Sequence, residues 1–212
     1  MNRRTIIVAT VAVVVAGFGL AAVMYRPTSR TVEGLVRPHA PLIGSANAPV
    51  TVVEFFDPAC ESCRAIYPFV KQLLRQYPNE VRLVLRYAPF HRGSDEAVKI
   101  IEAARLQDKF APVLEALLDA QPLWADHGRP DIAIAWEAAG RAGLDLARAR
   151  KDAARPEFNE LLRQDVADLK AFDVKATPTF FVNGRPLVRL GQRQLQSLVE
   201  EEVTLARRKA GK

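Results

Sequence analysis

Both cysteines of this 212-residue chain stand three residues apart, Cys60-Glu61-Ser62-Cys63, where an extended run gives way to a helical one. On the N-terminal side, TVVEFFD (51–57) is β-branched and aromatic and lies between Pro49 and Pro58, which predicts a buried strand. VRLVLRYAPF (81–90) has the same character. Between them, residues 60–77 place Ala65, Ile66, Phe69, Val70, Leu73, Leu74 and Tyr77 at spacings of three and four, an amphipathic helix that Tyr77-Pro78-Asn79 stops. Strand, helix, strand in this order predicts a βαβ unit with a right-handed crossover. Such a unit puts the cysteine pair at the strand-to-helix junction.

From His91 to Ala176 the composition shifts to Ala, Leu, Glu, Arg and Asp, with helices predicted near 95–107, 109–119, 131–142, 145–154 and 156–172. In the last of these, Pro156 suits the first helical position, and Phe158, Leu161, Leu162, Val166, Leu169 and Phe172 mark one face. PTFFVNGRPLVRL (178–190) predicts two short strands around Asn183-Gly184, and Gln192 to Arg208 a closing helix. Residues 26–49 are rich in Pro, Gly, Ser, Thr and Ala and predict a linker with a short strand near Leu35-Val36 or Leu42-Ile43. The chain divides accordingly into a leading segment 1–25, a linker 26–41, a first α/β part 42–90, a helical insertion 91–176 and a second α/β part 177–212.

Composition limits what such a chain can do. At 49% hydrophobic and 25% charged it belongs to the globular class. A body of this size buries a core without covalent staples, so two cysteines are not needed to hold the fold. The net charge of +6 sits at the ends: Arg3, Arg4, Arg207, Arg208, Lys209 and Lys212 set aside, 24 basic residues face 24 acidic ones. No basic face for nucleic acid is expected, and three histidines with two cysteines do not make a zinc finger pair. Residues 6–24 are 19 consecutive uncharged, largely apolar residues, which predicts one transmembrane helix. Arg3 and Arg4 precede it, so the N-terminus stays in the cytoplasm and the remainder of the chain crosses. The run exceeds the usual signal-peptide core, which favours an uncleaved anchor over a cleaved signal.

A thiolate at a helix N-terminus meets unpaired N–H groups and the positive end of the helix dipole, which lowers its pKa. Cys60 is therefore the candidate nucleophile. Cys63, on the same turn, is placed to close a small-ring disulfide and to resolve a mixed disulfide with a substrate. A purely structural bridge would gain little from so short a loop. A competing metal reading has both thiolates holding copper with one of His39, His91 or His127; no zinc ligand set is expected. Glu54, an acid among Val52, Val53, Phe55 and Phe56, is costly to bury unless it works or is paired, Arg82 and Lys175 being the candidate partners.

VVEFFDPACESC, the helical block and KATPTFFVNG together resemble the thioredoxin superfamily, specifically the DsbA-like branch of bacterial envelope thiol-disulfide oxidoreductases, over roughly residues 42–205. The resemblance implies a thioredoxin fold with an inserted helical subdomain. It implies an exposed nucleophile at Cys60, a resolving thiol at Cys63 and a cis proline at Thr177-Pro178, where the backbone pairs with an extended substrate. It further implies that Glu54 lies beneath the second cysteine and takes its proton. Glu61 and Ser62 occupy the positions that tune the pair. Strongly oxidising members resemble Pro-His there, whereas Glu61 puts a negative charge beside Cys60 and is expected to raise its pKa. The implied activity is on cysteines of exported proteins, at the inner membrane and facing the periplasm or cell exterior. No cofactor beyond the Cys60–Cys63 disulfide is implied, and the implied recycling partner is a membrane protein of the DsbB or DsbD type. The competing readings are a reductase or isomerase fed by a transmembrane electron donor, and a copper-handling thioredoxin-like chaperone.

Overall fold

Residues 32–126 and 128–211 are described by the structure, a computed structural model. The apolar run 6–24 and His127 lie outside the described residues, among which no helix is long and apolar enough to cross a membrane.

Five strands form the central sheet: β1 (Leu42–Gly44), β2 (Val50–Phe56), β3 (Val81–Tyr87), β4 (Thr179–Val182) and β5 (Arg185–Pro186), in the order β1-β3-β2-β4-β5. β2 and β3 are parallel and joined by helix α2 (Glu61–Gln76), the expected βαβ unit; β1, β4 and β5 pair antiparallel to their neighbours. Alternation along the two buried central strands sorts their side chains between two faces. Val50, Val52 and Phe56 join the main apolar cluster, which also takes in residues of α2 and of the closing helix. Val53 and Phe55 face the other way, into a smaller cluster with Val84, Leu169, Val174 and Phe181.

Asn183 and Gly184 both have positive φ, +47° and +81°, the backbone that a two-residue hairpin requires. The second hairpin strand is shorter than expected. It ends at Pro186, which has no N–H to continue a ladder, although the Leu187 amide still donates to the Phe180 carbonyl at 2.9 Å. Near the start of the described chain, Val32–Leu35 is a helical turn (α1) and not a strand, so the approach strand is β1 at Leu42. β3 stops at Tyr87 because the amides of Phe90 and His91 turn away to the Asp57 carboxylate.

The insertion between β3 and β4 contains α3 (Ser94–Arg105), α4 (Phe110–Asp119), α5 (Gln121–Trp124), α6 (Ile132–Arg141), α7 (Leu146–Ala153) and α8 (Pro156–Ala171). The single turn α5 was not anticipated. Helix α9 (Gln192–Ala210) closes the chain. α8 also corrects its expected stripe: Val166 is half exposed, while Asp165 and Asp168 are turned inward. The reason lies on β3, where the fully buried Arg86 donates through Nε to Asp165 at 2.8 Å, through Nη2 to Asp168 at 2.6 Å and through Nη1 to the Leu35 carbonyl at 2.6 Å. Arg37 meets Asp168 with two bonds of 2.8 Å, and His39 Nε2 lies 2.8 Å from Asp165. This ionic ladder fastens the 35–40 segment to the sheet and to α8. Removing one member of a buried pair strands the other charge, which costs about 3–5 kcal/mol. Asp165→Asn is expected to lower the unfolding free energy from urea denaturation by an amount of that order; Arg163→Ala, on the exposed face of the same helix, is expected to leave it nearly unchanged.

Candidate active site

The turn between β2 and α2 is built by Asp57. Its carboxylate, fully buried, accepts from the Ala59 amide at 2.9 Å, from the Phe90 and His91 amides at 2.8 and 3.0 Å, and from the Ser94 hydroxyl. His91 Nδ1 lies 2.7 Å from the same carboxylate. The Cys60 amide donates to the Asp57 carbonyl at 3.1 Å, which completes the turn and delivers Cys60 as the N-cap of α2. From the helical insertion, Gln121 Nε2 donates to the carbonyls of Pro58 at 2.8 Å and Cys60 at 3.1 Å, while its Oε1 accepts from Arg64 at 3.0 Å. Asp57 and Gln121 thus hold the cysteine turn from two sides. Neither was singled out by sequence. Asp57 has a local signal, an acid before Pro58 at a strand end; Gln121 has none, because its role exists only once α5 packs against the turn.

Opposite Cys60, the Thr177–Pro178 peptide bond is cis, and the Cys60 thiol donates to the Thr177 carbonyl at 3.3 Å. Both cysteines are free thiols. Cys60 keeps 6% of its surface exposed and Cys63 none, so the nucleophile is a narrow opening and not the open position expected for it. Their acidities diverge. The Cys63 thiol donates to the Cys60 sulfur and, together with the Thr177 hydroxyl and the amides of Cys63 and Ser62, lowers the Cys60 pKa to about 5 against the opposing effect of burial. Burial first, then the neighbouring Cys60 sulfur and Glu54, push the Cys63 thiol far above its ordinary value. Glu61 is exposed at the start of α2, next to Cys60 in the chain.

Glu54 lies on the cysteine side of β2, fully buried, and neither carboxylate oxygen has a hydrogen-bond partner. The proposed partners are engaged elsewhere, Arg82 with Thr51 at 2.9 Å and Lys175 with Asp173 at 3.1 Å. Burial, and secondarily the charge on Cys60, raise its pKa to about 8, so it carries a proton at neutral pH. Among the described residues no group of three metal-ligating side chains assembles; His39 and His91 are committed to Asp165 and Asp57.

A family model described as Thioredoxin matches residues 37–201. The chain belongs to the thioredoxin family. Among solved structures, this thioredoxin-family chain is 31% identical to a thioredoxin-like oxidoreductase from Silicibacter pomeroyi, with a TM-score of 0.69 over 83% of this chain and 96% of that one. It shares its fold with BdbD of Bacillus subtilis at 21% identity, with a TM-score of 0.70 over 82% of this chain and 96% of that one. It likewise shares its fold with alpha-DsbA1 of Wolbachia pipientis, at 14% identity and a TM-score of 0.74 over 82% and 96% of the two chains. All three share a thioredoxin fold with this chain over more than four fifths of its length. Relatives also include the Na(+)/H(+) antiporter NhaA 3 of Salinispora tropica, 38% identical over 145 residues that make up 67% of this chain and 21% of that protein. The chain spans about a fifth of the length of the curated relatives it matches.

Two outcomes follow from the acidities. Cys63→Ala is expected to raise the Cys60 pKa well above 5 and Cys63→Ser to raise it less, because a hydroxyl still donates to the sulfur; a thiolate absorbance titration reads both. Glu54 titrates near 8 when folded against an ordinary 4.5, so its own contribution to stability falls as pH rises through that window, while that of Cys60, lowered from 9 to about 5, rises over nearly the same range. Glu54→Gln is expected to remove the falling contribution, on the order of 5 kcal/mol across the window, so that the variant gains stability relative to the native chain as pH rises; unfolding free energies from urea denaturation between pH 4 and 9 read the difference.

Proposed function

We propose that the chain is a DsbA-type thiol-disulfide oxidoreductase that donates the Cys60–Cys63 disulfide to cysteines of exported proteins while tethered to the inner membrane by residues 6–24. The observation that carries this reading is the opposed acidity of two thiols on one helical turn, Cys60 near 5 and Cys63 far above its ordinary value. A thiol that ionises so readily is a good leaving group and stabilises the reduced state, which makes the disulfide an oxidant. This asymmetry favours donation over the reductase or isomerase reading. It also weakens the copper reading, which needs both sulfurs as thiolates and a histidine beside them.

A substrate thiolate attacks Cys60 Sγ, the Cys60–Cys63 bond breaks, and Cys63 leaves. Glu54, protonated and beneath it, supplies the proton that Cys63 requires in so apolar a place. A second substrate thiol, deprotonated, then attacks its partner sulfur in the mixed disulfide and displaces Cys60 as a thiolate. Two electrons have passed from the substrate to the pair, and the substrate carries a disulfide. The Thr177 carbonyl, which accepts from the Cys60 thiol at 3.3 Å, faces the nucleophile and would pair with an extended substrate once that thiol is in a disulfide. Recycling requires an oxidant of the pair, a membrane protein of the DsbB type in this reading; a DsbD-type donor would serve the reductase alternative.

Cys63→Ser is expected to accumulate mixed disulfides with exported proteins, while Cys60→Ser accumulates none. Non-reducing gels of alkylated cells read the difference, and equal trapping by both variants would overturn the assignment of roles.

A further inference from the structure

The chain enters the domain at the same end of the sheet from which Cys60 is presented. β2 and β3 are parallel, and Cys60 follows the C-terminal end of β2 by four residues. The segment preceding β1 runs back along β3 toward that same end: the Leu85 amide donates to Pro41, and Arg86 donates to Leu35. Leu35 is fully buried in the cluster that holds Ala88, whose amide donates to Phe56, and Val174, three residues before Thr177. Seven residues, 25–31, separate this entry point from the apolar run 6–24. At full extension they span roughly 25 Å. A domain of this size is about 40 Å across. The ionic ladder from Arg37, His39 and Arg86 to Asp165 and Asp168 stops the 35–40 segment from peeling off to lengthen the tether.

Four of the eight large exposed apolar side chains among the described residues lie on segments at or leading toward the same end. Phe90 belongs to the loop whose amides bind Asp57, and Leu123 lies on α5 beside Gln121. Val188, 96% exposed, and Leu190 follow β5, which runs parallel to β2 and ends beside Phe181, with the Leu187 amide donating to Phe180, so the chain there is heading toward the Thr179 end of β4. The opposite end is where α9 finishes, with Arg207 bound at 2.6 Å to Glu80 just before β3.

We infer that the tether holds the Cys60 end of the domain toward the bilayer, so that the apolar rim of Phe90, Leu123, Val188 and Leu190 receives cysteine-bearing segments of membrane-embedded proteins close to the lipid surface. This rests on the proposed function, and in particular on residues 6–24 as an uncleaved span. The exchange is the one already described, with the partner's two thiols becoming a disulfide as the Cys60–Cys63 disulfide becomes two thiols, or the reverse. Holding both reactants at one surface replaces a bulk encounter with a high effective concentration.

The test uses the full chain in vesicles of phosphatidylcholine and phosphatidylglycerol. Exchange is timed with a dithiol peptide carried a few residues outside the bilayer on a transmembrane helix, and with the same peptide free in solution. Two variants accompany it: one with a Gly/Ser spacer of about 40 residues after Arg30, whose end-to-end distance of about 35 Å lets the domain turn over, and one with residues 1–31 moved behind Lys212, which places the tether at the α9 end. The native chain is expected to favour the bilayer-borne peptide by at least about tenfold, the spacer to reduce this ratio and the C-terminal tether to abolish it, with the rate toward the free peptide equal in all three. The same ratio in all three, with the chains floating on the vesicles, would overturn the orientation alone. A chain that does not float would overturn the tether and this inference with it. No exchange even with the free peptide would overturn the oxidoreductase reading. Slow exchange with both peptides, together with slow alkylation of Cys60 in vesicles but not in detergent, would mean that lipid covers the rim and would overturn the protein partner.

Discussion

The arrangement depends on one buried carboxylate. Asp57 ends β2, closes the turn that delivers Cys60, and through the amides of Phe90 and His91 and the hydroxyl of Ser94 fixes the start of the helical insertion to that turn. Each donor left without it would lie at or near the interior with nothing to bond, at about 1–3 kcal/mol apiece. The strand end, the nucleophile and the first inserted helix are therefore set by one group. Gln121 adds a second hold from α5, so the cysteine turn is clamped between the βαβ unit and the insertion.

On that rigid turn, the chemistry comes from unequal burial across a few ångströms. Cys60 sits where amides and a neighbouring thiol point at its sulfur; Cys63, on the inner side of the same turn, meets apolar side chains and an acid without a hydrogen-bond partner. The same low-polarity surroundings that keep Cys63 protonated keep Glu54 protonated. An ionised Glu54 would be a buried charge without a counterion, which is why the proton stays with it.

Periodicity and turn chemistry made much of this legible. The strand at 51–57, the helix behind Cys60 and the hairpin at Asn183-Gly184 are local patterns, and each occurs within a few residues of where the pattern put it. What the sequence hid was polar and long-range. Arg86 looks like the solvent-facing member of an alternating strand, and Asp165 and Asp168 look like the polar face of α8, until all three are seen to meet inside. Charges that neutralise one another over some 80 residues leave no local trace. The supposed partners of Glu54 failed for the same reason, since Arg82, on the neighbouring strand, and Lys175, just before β4, are taken by other acceptors, Thr51 and Asp173.

The sheet has unusually short borders. β1 offers three residues and β5 two, one of them a proline without an N–H. Long open borders are templates on which neighbouring molecules zip together, and these are too brief to serve. Copies of the domain crowded together are thereby kept from sheet-to-sheet aggregation.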